Sequence, residues 1–151
     1  MSYDISQITD YLYISAWPSG KYAEEIHSLN IQLILSMHWR QPDWDLRQPP
    51  LQLLWLPTID SPLIPMPLFA LRRGVQAALP VIQRGGNVLS HCSYGRHRSV
   101  AMACCVLIGR GMGAEEAMQL VKARRAAADP YVPYIRSRIL KFEADWKVNP
   151  G

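Results

Sequence analysis

Apolar residues in this chain follow two rhythms. One consists of short runs: Tyr11-Leu12-Tyr13-Ile14, Ile31 to Met37, Leu51 to Leu56, and Asn87-Val88-Leu89-Ser90 continuing to His91. Runs this brief, bounded by turn residues, predict strands over 11–14, 31–37, 51–56 and 88–91, buried on both faces as in a parallel sheet. The other rhythm has helical spacing. It predicts a short helix over Lys21 to Leu29, a longer one over Leu68 to Arg84, and an apolar one near 98–110. An amphipathic helix over Ala114 to Ala127 and a last one from about Pro133 to Trp146 follow.

The connections carry their own punctuation. Trp17-Pro18-Ser19-Gly20 is a turn, Gly85-Gly86 ends the long helix, and Gly111-Met112-Gly113 breaks the apolar one from its successor. His38 to Pro50, with Pro42, Pro49 and Pro50, is expected to be a loop. Pro62, Pro65 and Pro67 keep Asp60 to Pro67 out of regular structure, and Pro80 argues against an unbroken helix to Arg84. Strands alternating with helices predict a three-layer α/β fold: a central, mostly parallel sheet of four to five strands flanked by helices.

Composition narrows the class. A chain of 151 residues, 49% hydrophobic and 19% charged, fits a single folded domain over 1–151 and excludes an intrinsically disordered chain. No apolar run approaches the ~20 residues that span a bilayer. Met1-Ser2-Tyr3-Asp4 lacks the basic start and apolar stretch of a signal peptide, so a cytosolic protein is expected. Cys92, Cys104 and Cys105 form neither an even disulfide set nor a zinc-type pair, so no metal or other cofactor is expected. The net charge of +4 favours anionic partners only mildly. The dispersed tryptophans suit a core or rim better than a platform for stacking bases, so no nucleic-acid partner is expected. A monomer is the default.

The chemistry concentrates in His91-Cys92-Ser93-Tyr94-Gly95-Arg96-His97-Arg98-Ser99, between a predicted strand and a predicted helix. A helix N-terminus presents unpaired N–H groups and the positive end of the helix dipole, which suits an anion. Only the thiolate of a cysteine is nucleophilic, and a positive setting favours it. Cys92 has the helix end, Arg98, Arg96 and His97 nearby, with His91 beside it. The five residues from Ser93 to His97 can curl into a nest of N–H donors around a phosphate, with Gly95 supplying a positive φ. Arg98 adds a planar, two-pronged donor. Ser99 either donates to the cysteine sulfur or caps the helix.

A leaving oxygen needs a proton, so a carboxyl acid is expected on another loop. Asp43, Asp45 and Asp60 are the candidates. Asp60 is favoured because it closely follows the strand over 51–56, at the sheet end where α/β folds bind ligands. His38, at the end of a strand, either faces the site or makes a local hydrogen bond. Cys104 and Cys105 read as small core residues, one of which could trap Cys92 as a disulfide.

On these residues the chain resembles the cysteine-dependent dual-specificity protein phosphatases of the small, atypical, single-domain kind. Ile8 to Ser15 through Pro18-Ser19 is similar to that family's opening strand and turn, and Leu29-Asn30-Ile31 into Leu33-Ile34-Leu35 to its next strand. Leu56-Pro57-Thr58-Ile59-Asp60 resembles the strand that ends in its general acid. Ala117 to Arg125, Asp129-Pro130 and Phe142-Glu143 resemble its last helices. The resemblance implies that Cys92 attacks phosphorus, Arg98 and the loop amides stabilise the equatorial oxygens, Asp60 protonates the leaving oxygen, and a cysteinyl-phosphate is hydrolysed without a metal. It implies phosphotyrosine as substrate, with phosphoserine or phosphothreonine. Tyr94 stands where such families usually carry alanine, and Arg96 and His97 make the loop unusually basic. Tyr94, Arg96 and His97 are expected to face outward and help choose the substrate. Phosphoinositides or RNA 5′-triphosphates are therefore an alternative, and a non-catalytic phosphate-binding module a third.

Overall fold

The computed structural model describes residues 3–151; Met1 and Ser2, part of the N-terminal reading and of the 1–151 span, lie outside the described residues. Five strands, β1 (Ile5–Thr9), β2 (Leu12–Ser15), β3 (Ile31–Ser36), β4 (Gln52–Trp55) and β5 (Asn87–His91), form one sheet in the order β1-β2-β5-β3-β4. β2, β5, β3 and β4 run parallel, and β1 pairs antiparallel with β2. The central strands bury side chains on both faces, and the alternation is visible in the packing. Leu12, Ile14, Leu33, Leu35 and Val88 join one apolar cluster, whereas Tyr13, Ile34 and Leu89 join another.

The helices are α1 (Ala23–Ser28), α2 (Leu68–Gln83), α3 (Arg98–Gly109), α4 (Ala114–Arg124) and α5 (Pro133–Val148). The larger cluster packs α2, α3, α4 and α5 against one face of the sheet, and α1 covers the other. Every residue of α3 from Arg98 to Ile108 is buried, which is why this helix is apolar all round rather than amphipathic. It is the central helix of the molecule, and it starts from the loop that carries the chemistry.

Four expectations change in detail. The residues before β2 form a strand of their own, β1 (Ile5–Thr9), where the pattern predicts a single strand over 11–14. The predicted helix over 21–29 splits into a 3-10 turn at Gly20–Tyr22 and α1, and the loop over 38–50 holds a second 3-10 turn at Trp44–Arg47. α2 runs through Pro80 because that residue lies in the last turn and is exposed, so the carbonyl it leaves unpaired can face water.

Among the described residues no helix is long and apolar enough to cross a membrane.

Candidate active site

β5 ends at His91, and the chain then turns back on itself before α3 begins at Arg98. The turn is held from outside. Trp17 N–H donates to Ser93 O at 2.9 Å, Arg125 donates to Tyr94 O at 2.9 Å and Gly95 O at 2.8 Å, and Asp129 N–H donates to Arg96 O at 2.9 Å. With four successive carbonyls drawn outward, the N–H of each following residue points the opposite way, into the curl. Gly95 has φ +64, and a β-carbon there would stand 2.6 Å from the Arg125 guanidinium and 2.7 Å from Ser15 O. Only glycine fits.

Cys92 sits at the bottom of this curl, 3% exposed. Burial pushes its thiol up, but the Ser99 hydroxyl at 3.1 Å, the backbone N–H groups of Ser99 and Arg96, and the charge of Arg98 outweigh burial and hold it below the ordinary thiol range. Ser99 lies inside α3 rather than at its cap, and its Oγ faces the sulfur.

Arg98 is also buried, at 6% exposure. Its Nη1 donates to Thr58 O at 2.7 Å and Met37 O at 3.3 Å, carbonyls that follow β4 and β3, and Nη2 donates to Ser93 Oγ at 3.3 Å. Thr58 Oγ1 in turn donates to Met37 O at 2.5 Å. The two neighbouring strand ends thus fix the guanidinium plane. Its Nε is buried and has no partner among the described residues, leaving a donor for an incoming oxygen.

His91 requires a correction. The sequence reading counted it with the charges around the thiol. Instead its ring is fully buried against Trp17, at 5.7 Å between ring centres, with Nδ1 3.3 Å from Cys92 O. Burial pulls it down to about 4, which favours an uncharged ring packed on Trp17 at neutral pH. His97 also departs from the expectation of an outward-facing loop. Tyr94 and Arg96 are exposed, but His97 turns back to place Nδ1 2.9 Å from Asp60 Oδ2.

Asp60 reaches the same place from the loop after β4. Its Oδ1 accepts the Tyr134 hydroxyl from α5 at 2.5 Å. Burial would raise its carboxyl, yet the bonds from Tyr134 and His97, with the charges of His97 and Arg98, leave it below the usual carboxylate range. Together Asp60, His97, Arg98, Cys92, Tyr94 and Arg96 line a cavity of about 390 Å³. A larger hollow of about 800 Å³ lies across Tyr94 and Arg96, floored by Ala126 to Ala128 and bordered by Lys122 and Asp129. Its lining carries no thiol, whereas the smaller cavity holds Cys92.

The other candidates fall elsewhere. Asp43 accepts the Gly20 N–H at 2.8 Å and serves the turn before α1; Asp45 stands beside the same glycine. His38 accepts the Arg40 N–H at 2.8 Å and is pulled down by burial and by Arg98 and Arg40. Cys104 and Cys105 are fully buried in α3, and burial pushes their thiols up, away from the reactive thiolate. Among the described residues no cluster of three or more His, Cys, Asp or Glu side chains is placed to hold a metal ion.

Arg125 and Tyr134 were missed by the sequence reading. Arg125, 2% exposed, grips the loop through two donors, Nε to Gly95 O and Nη2 to Tyr94 O, and pairs with Asp4 through two bonds of 3.0 Å. It also ends α4 three residues before the predicted Ala127 region, since its backbone is extended rather than helical. Neither residue carries a local signal; both act through the fold.

A sequence profile described as "Dual specificity phosphatase, catalytic domain" matches residues 12–144. The "Dual specificity protein phosphatase 1B" of Arabidopsis thaliana is 44% identical over 63 residues, 41% of this chain and 37% of that protein. The "Tyrosine-protein phosphatase yvh1" of Schizosaccharomyces pombe is 26% identical over 147 residues, 97% of this chain and 44% of that protein. The chain therefore spans less than half the length of these relatives. Among solved structures, a mouse putative dual specificity phosphatase complexed with zinc tungstate superposes with a TM-score of 0.87 at 25% identity, covering 98% of this chain and 91% of that one.

Proposed function

Because the chain belongs to the dual specificity phosphatase family, we propose that it hydrolyses phosphate monoesters through a cysteinyl-phosphate, acting on phosphotyrosine and on phosphoserine or phosphothreonine in proteins. The observation that carries this reading is the position of the Cys92 sulfur within a curl whose N–H groups face inward, beside a guanidinium anchored by two strand ends. Such a site holds three phosphate oxygens with donors that need no rearrangement when charge builds on them.

Cys92 attacks phosphorus in line with the ester oxygen. As the S–P bond forms the P–O bond breaks, its electron pair stays on the leaving oxygen, and Asp60 supplies the proton. Water then attacks the thiophosphate while Asp60 takes a proton from it, and the S–P pair returns to sulfur. Ser99 donates to the departing thiolate. No step is assigned to a metal ion.

We place this activity in the cytosol, in a monomeric domain with phosphorylated proteins as partners. A second reading, favoured by Arg96 exposed at the lip of the pocket, is a phosphoinositide or RNA 5′-triphosphate as substrate. The test is a panel of phosphotyrosine peptides, phosphoinositides and triphosphate-ended RNA, run with EDTA and with vanadate. The expected result is highest kcat/KM on phosphotyrosine peptides, unaffected by EDTA and blocked by vanadate. Higher efficiency on a non-protein class moves the substrate assignment, and binding without turnover on all of them replaces it with a phosphate-binding module.

A further inference from the structure

A carboxyl that protonates a leaving oxygen must hold a proton when the bond breaks. The surroundings of Asp60 favour the opposite state. One oxygen accepts the Tyr134 hydroxyl at 2.5 Å, and the other lies 2.9 Å from His97 Nδ1. Donors on both oxygens stabilise a carboxylate, and the Arg98 charge acts in the same sense. The Tyr134 hydroxyl is itself 3.3 Å from His97 Nδ1, so the three side chains close a triangle drawn from the loop after β4, the thiol loop and α5. His97 and Asp60 line the thiol cavity directly.

Imidazole is the side chain that ordinarily exchanges a proton near neutral pH. We propose that His97 and Tyr134 are positioning residues for Asp60: Tyr134 holds the carboxylate at the mouth of the thiol pocket, and His97 stores the proton that Asp60 hands to the leaving oxygen. The proposal rests on the assignment of Asp60 as the general acid. As the P–O bond breaks and its electron pair stays on oxygen, the Nδ1 proton of the imidazolium moves to Asp60 while Asp60 gives one to that oxygen. Neutral imidazole and carboxylate remain. In the second step water loses a proton to Asp60 as it attacks phosphorus, and the imidazole recovers it. Tyr134, pushed up to about 12 by burial and by its bond to Asp60, stays a donor throughout.

The groups facing the triangle are Arg98 toward Asp60 and Tyr134, Asp129 toward Tyr134, and His38, which shares a neighbouring cavity with Asp60 and Arg98. His38 is pulled below its ordinary range by burial and by the charges of Arg98 and Arg40. The alkaline limb of activity is therefore assigned to the His97–Asp60 pair as a unit.

The test is the pH profile of kcat/KM on two aryl phosphates. Nitrophenolate leaves readily without a proton, and phenolate does not. His97→Gln keeps a donor for Asp60 but no exchangeable proton. Its alkaline limb should move to lower pH, and at pH 7 phenyl phosphate should lose about tenfold or more while p-nitrophenyl phosphate changes by less than about threefold. Tyr134→Phe removes a donor that favours the carboxylate, so its alkaline limb should move to higher pH. Opposite shifts are not produced by general damage to the fold, and His97→Asn repeats the first arm should the glutamine variant fold poorly. Unmoved limbs, or equal losses on both substrates, overturn the proposal. Asp60→Asn separates the levels. If it spares phenyl phosphate, the acid assignment itself fails; if it alone shows the leaving-group contrast, Asp60 is the acid and the roles of His97 and Tyr134 are lost.

Discussion

Cys92, Arg98 and Ser99 are 3%, 6% and 0% exposed, whereas the Asp60 side chain keeps 34% of its surface in an open loop beside Ile59 and Leu63, themselves 42% and 88% exposed. The thiol loop is held by backbone carbonyls bonded to Trp17, Arg125 and Asp129 and by strand ends that grip Arg98. Beyond Thr58, the Asp60 side chain meets the site through His97 and Tyr134, in a loop stiffened by Pro62, Pro65 and Pro67. The proposed nucleophile and anion clamp are thus consequences of folding, because undoing them would leave buried polar groups unpaired. The proposed acid, Asp60, is an attachment, set by contacts that each cost little to lose. Changes in the thiol loop should therefore alter both stability and turnover, while changes around Asp60 should alter turnover alone.

The largest effect should come from Cys92→Ser, with kcat down by about 10⁴-fold or more and phosphate binding kept, since the fold holds the rest of the anion site. Single-turnover kinetics with phosphotyrosine peptide checks it. Asp60→Asn should slow a poor leaving group by about 10²-fold or more at neutral pH with an unchanged urea midpoint; a lowered midpoint would break the contrast between the loops. Arg98→Lys should cost about 10²-fold in kcat/KM, because a point charge cannot span two oxygens or reach both strand-end carbonyls. Arg125→Met touches no substrate, yet it strips donors from Tyr94 O and Gly95 O. A loss of about 2 kcal/mol in urea unfolding is expected, with reduced kcat.

The smallest expected effect concerns His91. Its folded value of about 4 lies below the ordinary 6.5, so the unfolded chain takes up a proton that the folded one refuses. Stability should be unaffected above about pH 6.5 and fall as pH drops toward 4, by at most about 3 kcal/mol. His91→Gln should flatten that slope in urea titrations between those limits. An unchanged slope would mean the ring is not buried neutral as described.

The strands β2, β3 and β5 were legible because both-face burial demands unbroken apolar runs, and α3 because a fully buried helix has no polar side. β1 was not, since Ile5-Ser6-Gln7-Ile8-Thr9 is an edge strand with a bulge and mostly partial burial, so its apolar pattern is thin. Cys92, Arg98 and Gly95 were legible from spacing within one loop. That Asp60 lies at the same cavity was legible from its place after a strand. The neutrality of His91 depends on Trp17, far earlier in the chain, and the inward turn of His97 on Tyr134, far later. Arg125 looks like an ordinary helix-end arginine until the sheet brings Asp4 and the thiol loop to it. What sequence could not supply in each case was a partner distant along the chain.

The central claim is that the buried Cys92 sulfur becomes phosphorylated during turnover. Acid-quenched protein, mixed for milliseconds with p-nitrophenyl phosphate and analysed by intact-mass and peptide mass spectrometry, should carry one phosphoryl group on the peptide containing Cys92, and Cys92→Ser should carry none. Steady turnover with no adduct on that peptide, or a Cys92→Ser variant that turns over at the rate of the unmodified protein, would contradict it.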